Sequence, residues 1–386
     1  MLAIALVSLA LLLRVLKALG KAVREGRQRK EQRRLRDRRY FGEDPRCTSR
    51  KHRAAKTDEA RLSRFGLPVI RDERELAEWF GVSLPRLRWF SHQQASEAVS
   101  HYVRYKVPKR SGGERIILAP KRELKALQRK ILRGILGLMP PSETAHGFVP
   151  GRSIVTNATP HVGQAVVLNL DLKDFFPSIT LSRVRGLFVA LGYSYPVAST
   201  LALLCTECER EVRRKGGRRA YCAIGPRRLV QGAPTSPAIA NLVSWRLDRR
   251  LAGLARKQGF AYTRYADDLT FSGDGLDAAL RLLSAATHIV NSEGWLINPA
   301  KTRLYRRSSR QVVTGLVVND RVGTPRRLRR RVRAILHNAD RTGLQAQNRE
   351  GRRDFRRYVA GLLSFIHAAR PEQATRLKRK LDSTPN

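Results

Sequence analysis

Two apolar runs that end in aspartate constrain this chain more than any other feature. Residues 165–171, AVVLNLD, are almost continuously apolar before the acid. Residues 260–273, FAYTRYADDLTFSG, read as strand, tight turn and strand, with Asp267 and Asp268 at the bend. Strand alternation puts Val167, Asn169 and Asp171 on one face. An acid closing a hydrophobic strand is carried to the edge of a buried sheet, where a merely solvated carboxylate is not expected. Adjacent carboxylates repel each other and, when partly buried, need a cation to stay ionised. Mg2+ suits them, because it takes hard oxygen ligands and shares them with phosphates. Two such ions held by Asp171, Asp267 and Asp268 would acidify an attacking hydroxyl and steady a leaving pyrophosphate. Taken alone, Asp-Asp equally marks a hairpin turn, for which aspartate is well suited.

The charge balance points to the partner. The chain of 386 residues carries 76 Lys plus Arg against 32 Asp plus Glu, a formal +44. Such a charge repels itself unless a polyanion neutralises it, and nucleic acid does so through phosphate contacts. An anionic membrane surface explains a basic patch but not basic residues along the whole chain. At 42% hydrophobic residues the chain is globular, with room for two or three subdomains but not for a large appended nuclease or integrase. The 4 cysteines (Cys47, Cys205, Cys208, Cys222) fit a reducing, cytoplasmic setting. Cys205 and Cys208 form a C-x-x-C without a fourth soft ligand at zinc spacing, so they read as packing residues before a metal or redox site.

Residues 1–64 divide into an apolar start, MLAIALVSLALLL, and a basic arm. The start is too short to span a bilayer, and its charges follow the apolar run where a signal peptide has them before it. A docked helix and an interfacial segment both fit; stable membrane insertion is not expected. Leu76, Trp79 and Phe80 mark an amphipathic helix, and Leu84, Leu87, Trp89 and Phe90 continue the region. Tyr102–Pro120 reads as strand, turn and strand. Leu124, Leu127, Ile131, Ile135 and Leu138 follow at helical spacing up to Pro140-Pro141. Near the C-terminus, Leu328, Val332, Ile335 and Leu336 form one apolar stripe. Phe355, Tyr358, Val359, Leu362, Leu363 and Ile366 form another, with arginines on the opposite faces.

Tyr265-Ala266-Asp267-Asp268 resembles the YxDD motif of reverse transcriptases. LDLKDFFPSI (residues 170–179) and QGAPTSPAIAN (231–241) are similar to that family's motifs A and B, in family order. Asn157-Ala158-Thr159-Pro160-His161 and Val313-Thr314-Gly315 resemble the NAxxH and VTG signatures of the retron members. The resemblance implies an α+β right-hand polymerase fold: helices and fingers over 65–165, a palm over 166–310 with a fingers insertion near 182–225, and a Val-Thr-Gly region with a basic helical thumb over 311–386. It implies metal ligation by Asp171, Asp267 and Asp268 with the Leu172 carbonyl. Arg115, Asp174, Phe175, Phe176, Gln231 and Gly232 would lie at the nucleotide, with Phe176 as a steric gate against a ribose 2′-OH. Lys301 would protonate the leaving pyrophosphate, although a plain phosphate contact fits it as well. Asn157, His161, Val313, Thr314, Gly315, Arg326, Arg327 and Arg330 would serve RNA binding. The implied partners are a cognate structured noncoding RNA, its RNA–DNA product, deoxynucleoside triphosphates and an effector protein in antiphage defence. Priming would start from a guanosine 2′-OH. Intron maturases and diversity-generating enzymes are the near alternatives; a maturase would carry a longer region after the thumb, and a diversity-generating enzyme would have Ser-Gln where Ser236-Pro237 stands. A non-catalytic RNA binder on the same scaffold is the alternative of another class.

Overall fold

The computed structural model describes residues 56–91, 96–97, 99–108, 112–215 and 218–384. The apolar start, most of the basic arm and Cys47 lie outside the described residues. Among those described, no helix is long and apolar enough to cross a membrane.

A four-stranded antiparallel sheet forms the palm. Its strands run Arg303–Arg306, Val166–Asp171, Asp268–Gly273 and Ala261–Tyr265 in spatial order. Alternation gives the sheet two buried faces. Leu168, Leu170, Tyr262, Leu269 and Phe271 enter the main core with the helices Leu181–Leu191, Trp245–Lys257 and Leu276–Ser292. Val167 on the other face joins a smaller cluster with Ala158, Val313, Leu316 and Val318. Burial on both sides explains why these strands read as nearly unbroken apolar runs.

The strands Tyr102–Pro108 and Glu114–Pro120 pair in register from Tyr102↔Pro120 to Pro108↔Glu114, forming a fingers hairpin. Gly112 and Gly113 take φ of 85° and 77° in its turn, which L side chains resist. A second hairpin, Arg210–Lys215 with Arg218–Ala223, rises between motifs A and B. The helix after the fingers stops earlier than its apolar spacing predicts. It spans Arg122–Gly134, Leu136–Leu138 form a 3-10 turn, and Leu138 is 50% exposed. Gly134 sits against Trp79, where an added Cβ would meet the indole at 2.7 Å. Helix spacing is a local signal and does not register such a contact.

The C-terminal helices Arg326–Thr342, Phe355–Ala369 and Pro371–Ser383 bury both predicted stripes in a core of their own. Arg326, Arg327 and Arg330 face solvent. This is the small basic helical domain that the stripes predict, and it matches the thumb that the resemblance implies.

Candidate active site

Register brings the acids together. Asp268 is the cross-strand partner of Asp171, and Asp267 lies in the bend that joins Asp268 to Tyr265. Beyond Asp171 the chain stays against that bend, because the Leu172 N–H donates to the Asp267 carbonyl at 2.9 Å. Asp171 and Asp267 open into a cleft of about 1320 Å³ between the fingers hairpin, the palm and the hairpin at 210–223. Its lining includes Arg115, Asp174, Phe176, Gln231 and Lys301.

Asp171 is 5% exposed, and both of its oxygens are engaged. Lys301 Nζ donates to Oδ1 at 2.7 Å, and Asn298 Nδ2 donates to Oδ2 at 3.3 Å. Burial, then the charge of Asp171, raises the Asp267 carboxyl above its usual range. Asp268 is exposed, yet desolvation by the surrounding protein and the charges of Asp267 and Asp171 push its carboxyl up to about 7. Two carboxyls held above their usual range beside a third carboxylate form a site short of positive charge. Lys301, drawn upward chiefly by its hydrogen bond to Asp171, supplies part of it. Among the described residues no three His, Cys, Asp or Glu side chains already close around a point as a metal cage. An open set of carboxylates suits Mg2+, which takes its remaining ligands from water and substrate phosphates. The hard oxygen donors and the charge deficit therefore fit the expected ions.

The fingers meet the palm through motif B. Leu118 N–H donates to the Gln231 carbonyl at 2.8 Å. Gly232 has φ 111°, and an added Cβ would stand 2.8 Å from Ile117 and 2.9 Å from the Leu118 carbonyl. Helix Ser236–Val243 starts immediately after, with Pro237 in its first turn. Phe175 also lines the cleft, but it is only 4% exposed and stacks on Trp295 at 5.1 Å beside Phe176.

The RNA-binding expectation also changes in part. Asn157, His161 and Val313 are each 0% exposed and offer no surface to RNA. The His161 ring nitrogens bond Ser272 Oγ at 2.7 Å and Thr263 Oγ1 at 2.8 Å, fastening its segment to the palm strands. Thr314 and Gly315 have φ of 46° and 84°, the two left-handed residues of a type I′-like turn between Val312–Val313 and Leu316–Val317. Thr314 Oγ1 donates to the Ile154 carbonyl at 3.3 Å, so the two signature segments pack on each other. Cys205 and Cys208 are buried with thiols pushed up to about 12 and about 11, which is the behaviour of packing cysteines.

One supporting group was not singled out on the sequence. Arg264 is 0% exposed and makes a two-bonded pair with the equally buried Asp248, at 2.7 Å through both Nε and Nη2. Its Nη1 donates to Asn241 Oδ1 at 3.0 Å and to the Ala266 carbonyl at 3.1 Å. Ala266 has φ 56°, so this guanidinium braces a left-handed bend directly before Asp267. The available signal was a charged residue at a core-facing position of an apolar strand.

Comparison with known proteins agrees with this geometry. The family model described as "Reverse transcriptase (RNA-dependent DNA polymerase)" matches residues 107–322, more than half of the chain. The retron Mx65 reverse transcriptase of Myxococcus xanthus is 52% identical over 89% of this chain and 79% of that protein. The retron Mx162 enzyme of the same organism is 42% identical over 81% of this chain and 67% of that protein. The retron Ec86 reverse transcriptase of Escherichia coli is 37% identical over 72% of this chain and 81% of that protein. A palm whose register pairs its acids at a cleft, carried by a sequence this close to such relatives, places the chain in the reverse transcriptase family: it is a retron-type RNA-directed DNA polymerase.

Proposed function

We propose that this polymerase copies part of a cognate structured noncoding RNA into DNA, starting from a guanosine 2′-OH, so that RNA and DNA end as one branched molecule. The observation that carries the reading is the register of Asp268 on Asp171 with Asp267 at the bend, so that Asp171 and Asp267 open together into a cleft of about 1320 Å³. Asp171, Asp267 and Asp268, with the Leu172 carbonyl, would hold two Mg2+ ions. When bound, these neutralise phosphate charge and acidify the attacking hydroxyl.

The chain's own residues then divide the remaining work. Arg115 approaches from the fingers hairpin and suits a forked grip on the triphosphate. Gln231 and the Gly232 backbone form the wall beside the nucleotide, with Asp174 at its edge. The Phe176 ring stands where a ribose 2′-OH would be crowded, which selects deoxynucleotides. Lys301 lies close enough to the acids to hold a proton for the leaving pyrophosphate. Arg326, Arg327 and Arg330 on the thumb face suit the phosphates of an RNA stem, which is read mainly through shape and backbone. Thr314 and Gly315 shape that region beside them. We assign an N-terminal helical region with the fingers to 65–165, the palm with a fingers insertion near 182–225 to 166–310, and the Val-Thr-Gly region with the thumb to 311–386; the same reading includes a cytoplasmic enzyme working with an effector in antiphage defence.

The test is the nucleic acid that co-purifies with the protein. The reading predicts DNA joined to RNA through a 2′-linkage at a guanosine, released by a debranching enzyme. Linear DNA extended from a 3′ end, or bound intron RNA, would redirect it.

A further inference from the structure

The cleft holds a second exposed aromatic ring that none of these roles uses. Phe148 lines the cleft and is 50% exposed. Its backbone is left-handed, with φ 61°, which for a bulky residue costs about 1–3 kcal/mol. A half-exposed ring returns little of that through burial. Phe148 belongs to no core cluster, so glycine at this position would relieve the strain and give up mainly the ring's contact with Phe176.

The surroundings nevertheless hold it in place. Asn241 Nδ2 donates to the Gly147 carbonyl at 2.9 Å, and the His146 N–H donates to the Arg264 carbonyl at 2.7 Å. Gly147 is pressed against the catalytic bend so closely that an added Cβ would meet Ala266 N at 2.5 Å. Arg152 ties the preceding turn through the Ser142 and Glu143 carbonyls at 2.7 and 2.9 Å. The position of Phe148 is thus referenced to the same bend that presents Asp267.

The ring faces Phe176, with centroids 6.1 Å apart and planes inclined at 49°. Phe176 also meets Phe175 edge-on at 5.4 Å, and Phe175 stacks on Trp295. A single partly exposed ring can rotate aside to admit an extra oxygen. A ring in contact with two others, one of them on a strained and tethered backbone, has less room to do so. We infer that Phe148 is a positioning residue for sugar selection, the outer support that keeps Phe176 against the ribose 2′ position.

This rests on the reading of Phe176 as the ring that meets the sugar, and the test separates the two. In full-length enzyme on a primed RNA template, kcat/KM is measured for dGTP and GTP in the parent, Phe176→Ala, Phe148→Ala and Phe148→Tyr. Phe176→Ala raises the GTP-to-dGTP ratio. Phe148→Ala raises it by about 10-fold, a typical step for reshaping an apolar pocket wall, while dGTP use changes less than about threefold. Phe148→Tyr, which keeps the ring, restores the parent ratio. A relaxed Phe176→Ala beside an unchanged Phe148→Ala overturns the inference and leaves the gate standing. An unchanged ratio in Phe176→Ala overturns the gate, and the support with it. Equal loss of GTP and dGTP use in Phe148→Ala also overturns the inference, because it would mark a template or folding role.

Discussion

Asp248→Asn isolates the buried charge beneath the bend that presents Asp267. The change keeps the side chain's shape and removes its charge, leaving the Arg264 guanidinium without a counter-ion at 0% exposure. Burial alone would lower the guanidinium's hold on its proton; the Asp248 charge and hydrogen bonds reverse that, and its pKa is raised. Breaking such a pair by neutralising one partner costs about 3–5 kcal/mol. Tyr262 also loses a charged acceptor, now at 3.0 Å. Domains are typically stable by ~5–15 kcal/mol, so the loss is a large share of the total. Urea unfolding followed by tryptophan fluorescence reads it directly. A change below ~1 kcal/mol would show that the pair is not desolvated as described. The paired variant Asp248→Leu with Arg264→Met goes further. Replacing a buried ion pair by apolar residues of similar size is often neutral or stabilising, so unfolding should return towards the parent. Polymerase activity should stay low, because the bond from Nη1 to the Ala266 carbonyl is gone. Activity that recovers along with stability would reduce Arg264 to a packing residue.

Three further outcomes follow from particular positions. Burial holds the His161 pKa down to about 3 against an ordinary 6.5. The unfolded chain therefore binds the proton first, and the contribution of a neutral His161 is complete above pH 6.5 and is lost as pH falls towards the folded value, by about 2 kcal/mol at pH 5. His161→Gln should be less stable at pH 8 yet show a shallower loss between pH 6.5 and 5; parallel curves would contradict a buried neutral ring. Gly232→Ala forces a Cβ against Ile117 and the Leu118 carbonyl at a φ of 111°, so it should cost about 1–3 kcal/mol and weaken dNTP use; unaltered stability and KM would refute the contact. Changing Arg326, Arg327 and Arg330 together to glutamine should reduce the slope of log K against log salt for RNA binding by about 2–3, and an unchanged slope removes them from the phosphate contacts.

The cluster of acids was legible in the sequence because its signal is local. Asp171 and Asp267 each close an apolar strand, and motif order supplied the palm between them. Their pairing depends on register, which a two-residue alternation pattern leaves open until the strands meet. The thumb stripes survived intact because helical periodicity reports one buried face, as at Val332, Leu336, Val359 and Leu363. What a short motif cannot distinguish is a residue that touches RNA from one that shapes the surface beside it. Asn157 and His161 resemble binding residues on the sequence, and the structure buries both. Arg264 and Asp248 stayed hidden because a strand and a helix meet only in the folded core. Phe148 stayed hidden because nothing in the letters AHGFVPG marks a left-handed phenylalanine.

The central claim is that Asp171 and Asp267 act as one catalytic pair at the nucleotide's phosphates. Single-turnover incorporation by Asp171→Asn and by Asp267→Asn, measured beside RNA binding by the same preparations, tests it most directly. Each variant should bind RNA as the parent does while incorporation falls ~1,000-fold or more, the share that metal-assisted charge neutralisation supplies. Incorporation within about tenfold of the parent in either variant would contradict the account, because a carboxylate that holds the ions neutralising the reacting phosphates cannot be lost at so little cost.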